Sequence, residues 1–288
     1  MASPALSSDQ QTILITGCSS GIGHCVAHGL KARGYAVIAS ARKAGDVARL
    51  HAEGLDAVQL DLADSASITS AVEQTLHLSN GKLYALFNNG AYGQPGAVED
   101  LSRQVLRQQF ETNLFGTMEL TNRVIPVMRQ QGYGRIIQNS SVLGLICLPY
   151  RGAYNASKFA LEAISDTLRM ELRGTGIHVS LIEPGPIASR FRENAFAAYR
   201  QHIDPQHSAY REIYQRMERR LQKKGPSAPF TLGPEAVLKK VIHALESPRP
   251  RPRYYVTFPT YLFGTLRRLC SSRGLERILL KVSRDENK

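Results

Sequence analysis

Tyr154 and Lys158 stand four residues apart in the run Tyr154-Asn155-Ala156-Ser157-Lys158, and in a helix that spacing puts both side chains on one face. A free tyrosine has a pKa of about 10, too high for a base at neutral pH, but a neighbouring ammonium favours the phenolate and lowers it. Ser141, thirteen residues before the tyrosine, adds a hydroxyl able to hold a substrate oxygen. Together the three describe proton transfer to or from an oxygen. Tyr154 would move the proton, Lys158 would set its affinity and Ser141 would fix the oxygen. Ser140 competes for that last role.

A second group binds rather than reacts. The apolar run 12–16 ends in Thr16-Gly17-Cys18-Ser19-Ser20-Gly21-Ile22-Gly23 and passes directly into a helical pattern. Gly17 permits a sharp reversal, Gly21 lets the backbone approach a pyrophosphate, and Gly23 lets helix pack on strand. The helix N-terminus then offers its amides to the phosphates. Ser19, Ser20 and Ile22 complete the turn. An NAD site needs a carboxylate at the end of the second strand, and that carboxylate would repel a 2′-phosphate. Here the strand ends Ala39-Ser40-Ala41-Arg42-Lys43, with no acid and with Arg42 able to make a forked contact to phosphate. NADP(H) is therefore expected ahead of NAD(H).

The spacing TGxxxGIG, with the YxxxK pair and its serine, resembles the short-chain dehydrogenase/reductase family over residues 12–190. The resemblance prefers Ser141 to Ser140 by its distance from Tyr154. It implies that Asp61 and Leu62 lie against adenine. It places Asn88 and Gly90, in Asn88-Asn89-Gly90-Ala91, beside the nicotinamide ribose, which Lys158 also reaches. It sets Pro184, Gly185 and Ile187 along the nicotinamide, with Tyr154 beside them. Asn113, in ETNLFG, would hold a water that resupplies the proton through Lys158. The implied reaction moves a hydride between NADP(H) and an alcohol or carbonyl. The TGCSSGIG turn together with a long segment after the sixth strand resembles the branch containing 17β-hydroxysteroid and retinol dehydrogenases and the bacterial aldehyde reductases close to them.

The elements that must position these residues are legible as an alternation. Apolar runs at 12–16, 35–40, 56–60, 83–87, 134–139 and 177–182 read as buried parallel strands, and helical patterns lie near 22–33, 65–79, 102–130 and 152–173. That order predicts an α/β fold, a doubly wound parallel sheet of Rossmann type in a single domain. The catalytic domain is expected over 1–258, with a helical substrate cover inserted at 189–232. The prolines of 248–253 should lift the chain from a helix near 233–246 into an edge strand near 253–258, before an extension at 259–288. Leu143, Leu145, Ile146 and Leu148 should form one pocket wall, with Tyr92 and the cover's Phe191, Phe196 and Tyr199. Ser141, Leu143 and Tyr154 are the expected substrate contacts. Such a lining suits a small apolar alcohol, aldehyde or ketone, retinoid-like, steroid-like or long-chain.

Charge is distributed unevenly. The chain of 288 residues carries 36 basic and 24 acidic side chains, yet residues 1–188 are balanced, and the whole excess of +12 lies in 189–288. A uniformly basic protein would suggest nucleic-acid binding; a neutral body with a basic end suggests a local anionic surface, and no nucleic-acid partner is expected. Within 261–281, Leu262, Leu266, Leu269, Ile278 and Leu279 alternate with Arg267, Arg268, Arg273, Arg277 and Lys281. This is the composition of an interfacial helix, or of one that docks by its leucines on the catalytic domain. Four scattered cysteines suggest neither disulfides nor a zinc site, so no metal is expected. The start of the chain lacks a signal-peptide pattern, and a cytoplasmic protein, peripheral on a membrane at most, is the expectation. By resemblance, the helices at 102–130 and 152–173 would form a dimer or tetramer face. The alternative is a catalytically idle dinucleotide binder whose basic end holds an anionic partner.

Overall fold

Buried strands with helices on both faces account for the unbroken apolar runs. In the computed structural model, which describes residues 11–223, 225 and 228–286, the chain alternates β1 (Thr12–Ile15), α1 (Gly21–Lys31), β2 (Ala36–Ala41), α2 (Ala44–Ala52), β3 (Asp56–Gln59), α3 (Ser65–Leu78) and β4 (Ala85–Asn88). It continues through α4 (Arg103–Phe110), α5 (Gly116–Gln131), β5 (Gly134–Asn139), α6 (Gly152–Glu171) and β6 (Ile177–Glu183). The sheet order is β3-β2-β1-β4-β5-β6-β7, with every pairing parallel and β7 at Arg253–Tyr255. Ile13 pairs with Val37 on one side and Ala85 on the other, so the order reverses between β1 and β4. A crevice opens at the carboxyl ends of strands at such a reversal.

Period-2 alternation assigns each strand residue to a face. Ile13, Ile15, Phe87 and Ile182 pack with Val26 and Leu30 of α1 and with Val237 and Val241 of α9 (Glu235–Glu246). Leu14, Leu86, Ile136 and Val179 pack against Ile68 of α3, Leu120 and Val124 of α5, and Leu168 of α6. The central strands β1 and β4, covered on both faces, are accordingly buried along their whole length.

Three details differ from the sequence reading. The helical stretch at 102–130 is interrupted by one π-turn at Glu111–Phe115, between α4 and α5. The edge strand is only Arg253–Tyr255, and the chain then enters α10 (Phe258–Leu269), whose first turn holds Pro259. The stretch 261–281 is two helices, with α11 (Ser272–Glu286) starting after a break at Cys270 and Ser271. Of the expected leucine stripe, Leu262 and Leu269 face outward, while Phe263 is buried, because α10 docks by its other side. Phe263 and Leu279 pack with Leu143, Ile146 and Leu148, and Leu266, Leu275 and Val282 border that cluster.

Between β6 and α9, helices α7 (Phe191–His202) and α8 (Arg211–Gln222) form a small core of their own. Tyr199, Tyr214, Met217 and Leu221 pack on Ala97, Leu101, Val105 and Ala153. The Tyr214 hydroxyl accepts the Ala97 amide at 2.9 Å and donates to the Asp100 carboxylate.

Candidate active site

Ser141 follows β5 in extended backbone, and its hydroxyl caps a short 3₁₀ turn by accepting the Leu143 amide at 3.1 Å. Tyr154 and Lys158 lie on the first turns of α6, and the Tyr154 hydroxyl is hydrogen-bonded to Ser141. The Ser140 hydroxyl has no such partner; it is buried without a hydrogen bond. Burial pushes the Tyr154 phenol up to about 12, and the Ser141 bond and the Arg151 charge only partly offset this. The expectation that Lys158 lowers it is not met. The ammonium lies 5.7 Å from the tyrosine ring centroid and spends its hydrogen bond on the Asn139 carbonyl at 2.7 Å. Burial in turn brings Lys158 down to about 8, opposed by the carboxylate of Glu162 one turn further along α6.

Asn113 sits in the π-turn and is 1 % exposed. Its amide nitrogen donates to the Tyr92 carbonyl at 2.9 Å and the Ser157 hydroxyl at 3.2 Å, and its oxygen accepts the Tyr92 amide. The side chain thus ties the segment after β4 to α6.

The glycine turn forms a close cradle. Gly17 and Gly21 have φ of +70° and +59°, in the left-handed region. A Cβ on Gly23 would run into the Gly17 carbonyl, and one on Gly21 would press Ser189. Ser20 begins α1 without a side-chain cap, so the first amides of that helix are left to an anion. Arg42 and Lys43 are exposed at the end of β2, and the Arg42 charge is felt by Tyr92 across the crevice. These features fit a dinucleotide with its pyrophosphate on Ser19–Gly23. Asp61 is half-buried and accepts the Ala63 amide, while Leu62 is buried behind Gly90. Pro184 accepts the Val142 amide, Gly185 leaves room for Thr257, and Ile187 bridges to Leu232.

Asn88 departs from its expected place. Its amide donates to Thr121 of α5 at 2.8 Å, because it shares a strand face with Leu86. The neighbouring Asn89 takes the crevice side. Its amide nitrogen donates to the carbonyls of Thr16 (3.0 Å) and Gly17 (3.3 Å), and its oxygen accepts the Asn139 amide at 2.9 Å. Through Asn139, whose carbonyl holds Lys158, one chain of hydrogen bonds runs from the glycine turn to the lysine.

Around the reacting groups, Phe191 of α7 covers Tyr154 with ring centroids 5.3 Å apart, and a Cβ on Gly93 would strike it. Leu143, Ile146 and Leu148 are buried beneath α10 and α11, so the wall is partly protein core. Tyr199, expected as lining, is 1 % exposed and stacks on Phe196 inside the cover. Sequence reasoning also missed the ion cluster behind the lysine. Arg253 of β7 pairs with Glu162, Asp166 and Glu183, and the fully buried Glu183 carboxyl is raised by burial and by Glu162.

A family model described as short chain dehydrogenase matches residues 11–200. The chain belongs to the short-chain dehydrogenase family, oxidoreductases that bind NAD or NADP. It is 44 % identical over 270 residues to "Uncharacterized oxidoreductase YbbO" of Escherichia coli K12, covering 94 % of each chain. It is 32 % identical to human retinol dehydrogenase 8, over 92 % of this chain and 87 % of the relative. Among solved structures, a short chain dehydrogenase/reductase from Burkholderia phymatum in complex with NAD shares 25 % identity with a TM-score of 0.76, over 92 % of this chain and 94 % of that one.

Proposed function

We propose that this oxidoreductase interconverts an apolar alcohol and its aldehyde or ketone with NADP(H), using Ser141, Tyr154 and Lys158 as reacting side chains. The observation that carries the reading is the hydrogen-bonded Ser141–Tyr154 pair with the buried Lys158 one turn away. NADP(H), when bound, supplies or accepts the hydride. Ser141 and Tyr154 hold the substrate oxygen, and Tyr154 passes its hydroxyl proton to it in reduction or takes one in oxidation. A phenol raised to about 12 keeps its proton at neutral pH, which favours its role as the acid in reduction. Lys158 keeps a positive charge near that hydroxyl, and Asn113 supports the site by fixing Tyr92 and α6.

Preference for NADP(H) over NAD(H) rests on Arg42 at the end of β2 and the absence of any acid between Ala39 and Lys43. The apolar substrate class rests on Leu143 and Phe191 beside Tyr154, and the similarity to retinol dehydrogenase 8 agrees with it. Loss of NADPH absorbance with long-chain aldehydes, retinal and keto steroids tests the reading. Turnover with at least one of them, much faster than with NADH, is expected; NADPH binding without turnover of any carbonyl would favour the idle binder.

The enzyme is further read as resting on an anionic membrane surface. No helix among the described residues is long and apolar enough to cross a membrane. The outward side of α10, however, exposes Phe258, Tyr261, Leu262 and Leu269 at helical spacing, and Phe258 meets exposed Phe230. Arg268 on the same helix and Arg273, Arg277 and Lys281 on α11 are also exposed, the charge such a surface calls for. Assembly is read through the helices around α5 and α6, where Phe115 at the end of the π-turn and Ile164 and Met170 of α6 are exposed.

A further inference from the structure

On the side of α1 away from the sheet, beside the glycine turn but outside the reacting groups, two imidazoles meet one carboxylate. His24 and His28 are four residues apart on α1 and so share a face. Glu53, at the C-terminal end of α2, reaches them across the surface. The Nε2 atoms of His24 and His28 lie 2.7 and 2.9 Å from the same oxygen, Oε2 of Glu53. The ligand atoms of all three lie within 4.8 Å of one another.

We propose that His24, His28 and Glu53 bind one divalent transition-metal ion of the Zn²⁺ class. Two imidazoles and a carboxylate suit zinc, cobalt, nickel or copper, whereas magnesium and calcium prefer oxygen sets. Tetrahedral bonds of about 2.0–2.1 Å put ligand atoms about 3.4 Å apart, so each imidazole must draw back slightly from Oε2, and the two Nε2 atoms, which lie within 4.8 Å of one another, must settle at that same separation. Each side chain is about one-third exposed, which permits that adjustment and leaves outer positions for water. Oε2 faces both imidazoles, while Oε1 lies 3.8 Å from Arg49 Nε and remains with that cation. Arg49 also bonds Asp46 and donates to the Ser19 carbonyl at 2.6 Å, and Lys31 donates to the Gly54 carbonyl. The ion would therefore clamp α1 to α2 beside the glycine turn, as a structural staple outside the reacting groups.

The test is calorimetric titration of the chelator-stripped full chain with ZnCl₂, CoCl₂ and MgCl₂, with thermal midpoints recorded alongside. One Zn²⁺ per chain is expected, together with a raised midpoint, a Co²⁺ spectrum without thiolate charge transfer, and no response to Mg²⁺. His28→Gln and Glu53→Gln should each weaken Zn²⁺ binding at least about tenfold and leave NADPH-dependent turnover unchanged. Cys25→Ser should bind as the parent does, since its thiol is the cation ligand nearest in sequence. If either glutamine variant loses its fold by circular dichroism, His24→Gln carries the comparison. The proposal is overturned if no saturable Zn²⁺ binding occurs, if it survives in the glutamine variants, or if it is lost in Cys25→Ser.

Discussion

At the scale of single residues, the two buried titratable groups work in opposite directions. Tyr154 is pushed up to about 12 and Lys158 down to about 8, both by burial. On raising pH, Lys158 loses its proton first, so reduction should slow as pH climbs through about 8 while Tyr154 still carries its proton. Stability should move the other way. The unfolded lysine titrates near 10.5, so between about 8 and that value the unfolded chain binds more protons, and this contribution to stability rises with pH. At about 1.4 kcal/mol per tenfold change in proton affinity, the penalty at neutral pH is about 3 kcal/mol. Lys158→Met should therefore abolish turnover while stabilising the fold by up to that amount, less the cost of leaving the Asn139 carbonyl unpaired; urea titrations at pH 7 give the sign. Tyr154→Phe should remove turnover and keep NADPH binding, because only the hydroxyl is lost; near-normal turnover would refute the proton path. Arg42→Asp should weaken NADPH by more than about tenfold, or about 1.4 kcal/mol, and shift kcat/KM toward NADH. Unchanged selectivity would point to Lys43. The Tyr, Lys, Ser and glycine positions were legible because their spacing is local. Asn89 was not, since its role depends on the side to which the chain turns as it leaves β4, and adjacent Asn88 carries the same side chain. The partner of His24 and His28 was hidden for a related reason: Glu53 lies 25 residues further on, brought back by the β2–α2 crossover.

At the scale of elements, strands and helices followed from apolar runs because a parallel sheet covered on both faces leaves no polar alternation to confuse them. The π-turn at Glu111–Phe115 had no such signal, since its residues read as ordinary helix and only the packing of Asn113 against Tyr92 and Ser157 distinguishes it. For a similar reason the leucines of 261–281 could not be sorted by side: Leu266 and Leu279 dock, while Leu262 and Leu269 face outward. Phe263, Leu266 and Leu262 are all apolar, so periodicity alone could not say which side docks. Packing decides it: Phe263 of α10 and Leu279 of α11 close over Leu143, Ile146 and Leu148, which back Tyr154. Phe263→Ala should leave a cavity there and cost about 3–5 kcal/mol if the whole domain unfolds as one unit. A smaller loss in denaturant midpoint, with protease cleavage near α10, would show the two helices detaching on their own. In either case KM for an apolar substrate should rise more than kcat falls, because the substrate wall loosens while Ser141, Tyr154 and Lys158 keep their own supports.

At the scale of the whole molecule, a balanced body and a basic end are joined at the active-site wall, and that arrangement gives the outward side of α10 its meaning. Phe258, Tyr261, Leu262 and Leu269 leave apolar surface in water that the docked side of the helix has no use for. Isolated exposed apolar residues need no explanation, but a stripe on one helix with Phe230 against it does. The exposed arginines of α10 and α11 argue for an anionic layer as its cover. Co-sedimentation with vesicles tests this directly. Binding to vesicles rich in anionic lipid is expected, weaker to neutral ones, and falling as salt rises, because charge steers the contact and salt screens it. Leu262→Asp with Leu269→Asp, two exposed positions outside the docked cluster, should abolish binding and leave the thermal midpoint and turnover of a water-soluble aldehyde unchanged. If those substitutions instead convert a dimer to a monomer and vesicles never bind, the stripe belongs to a second copy of the chain. If they lower the midpoint, the two leucines support the fold and the membrane reading fails.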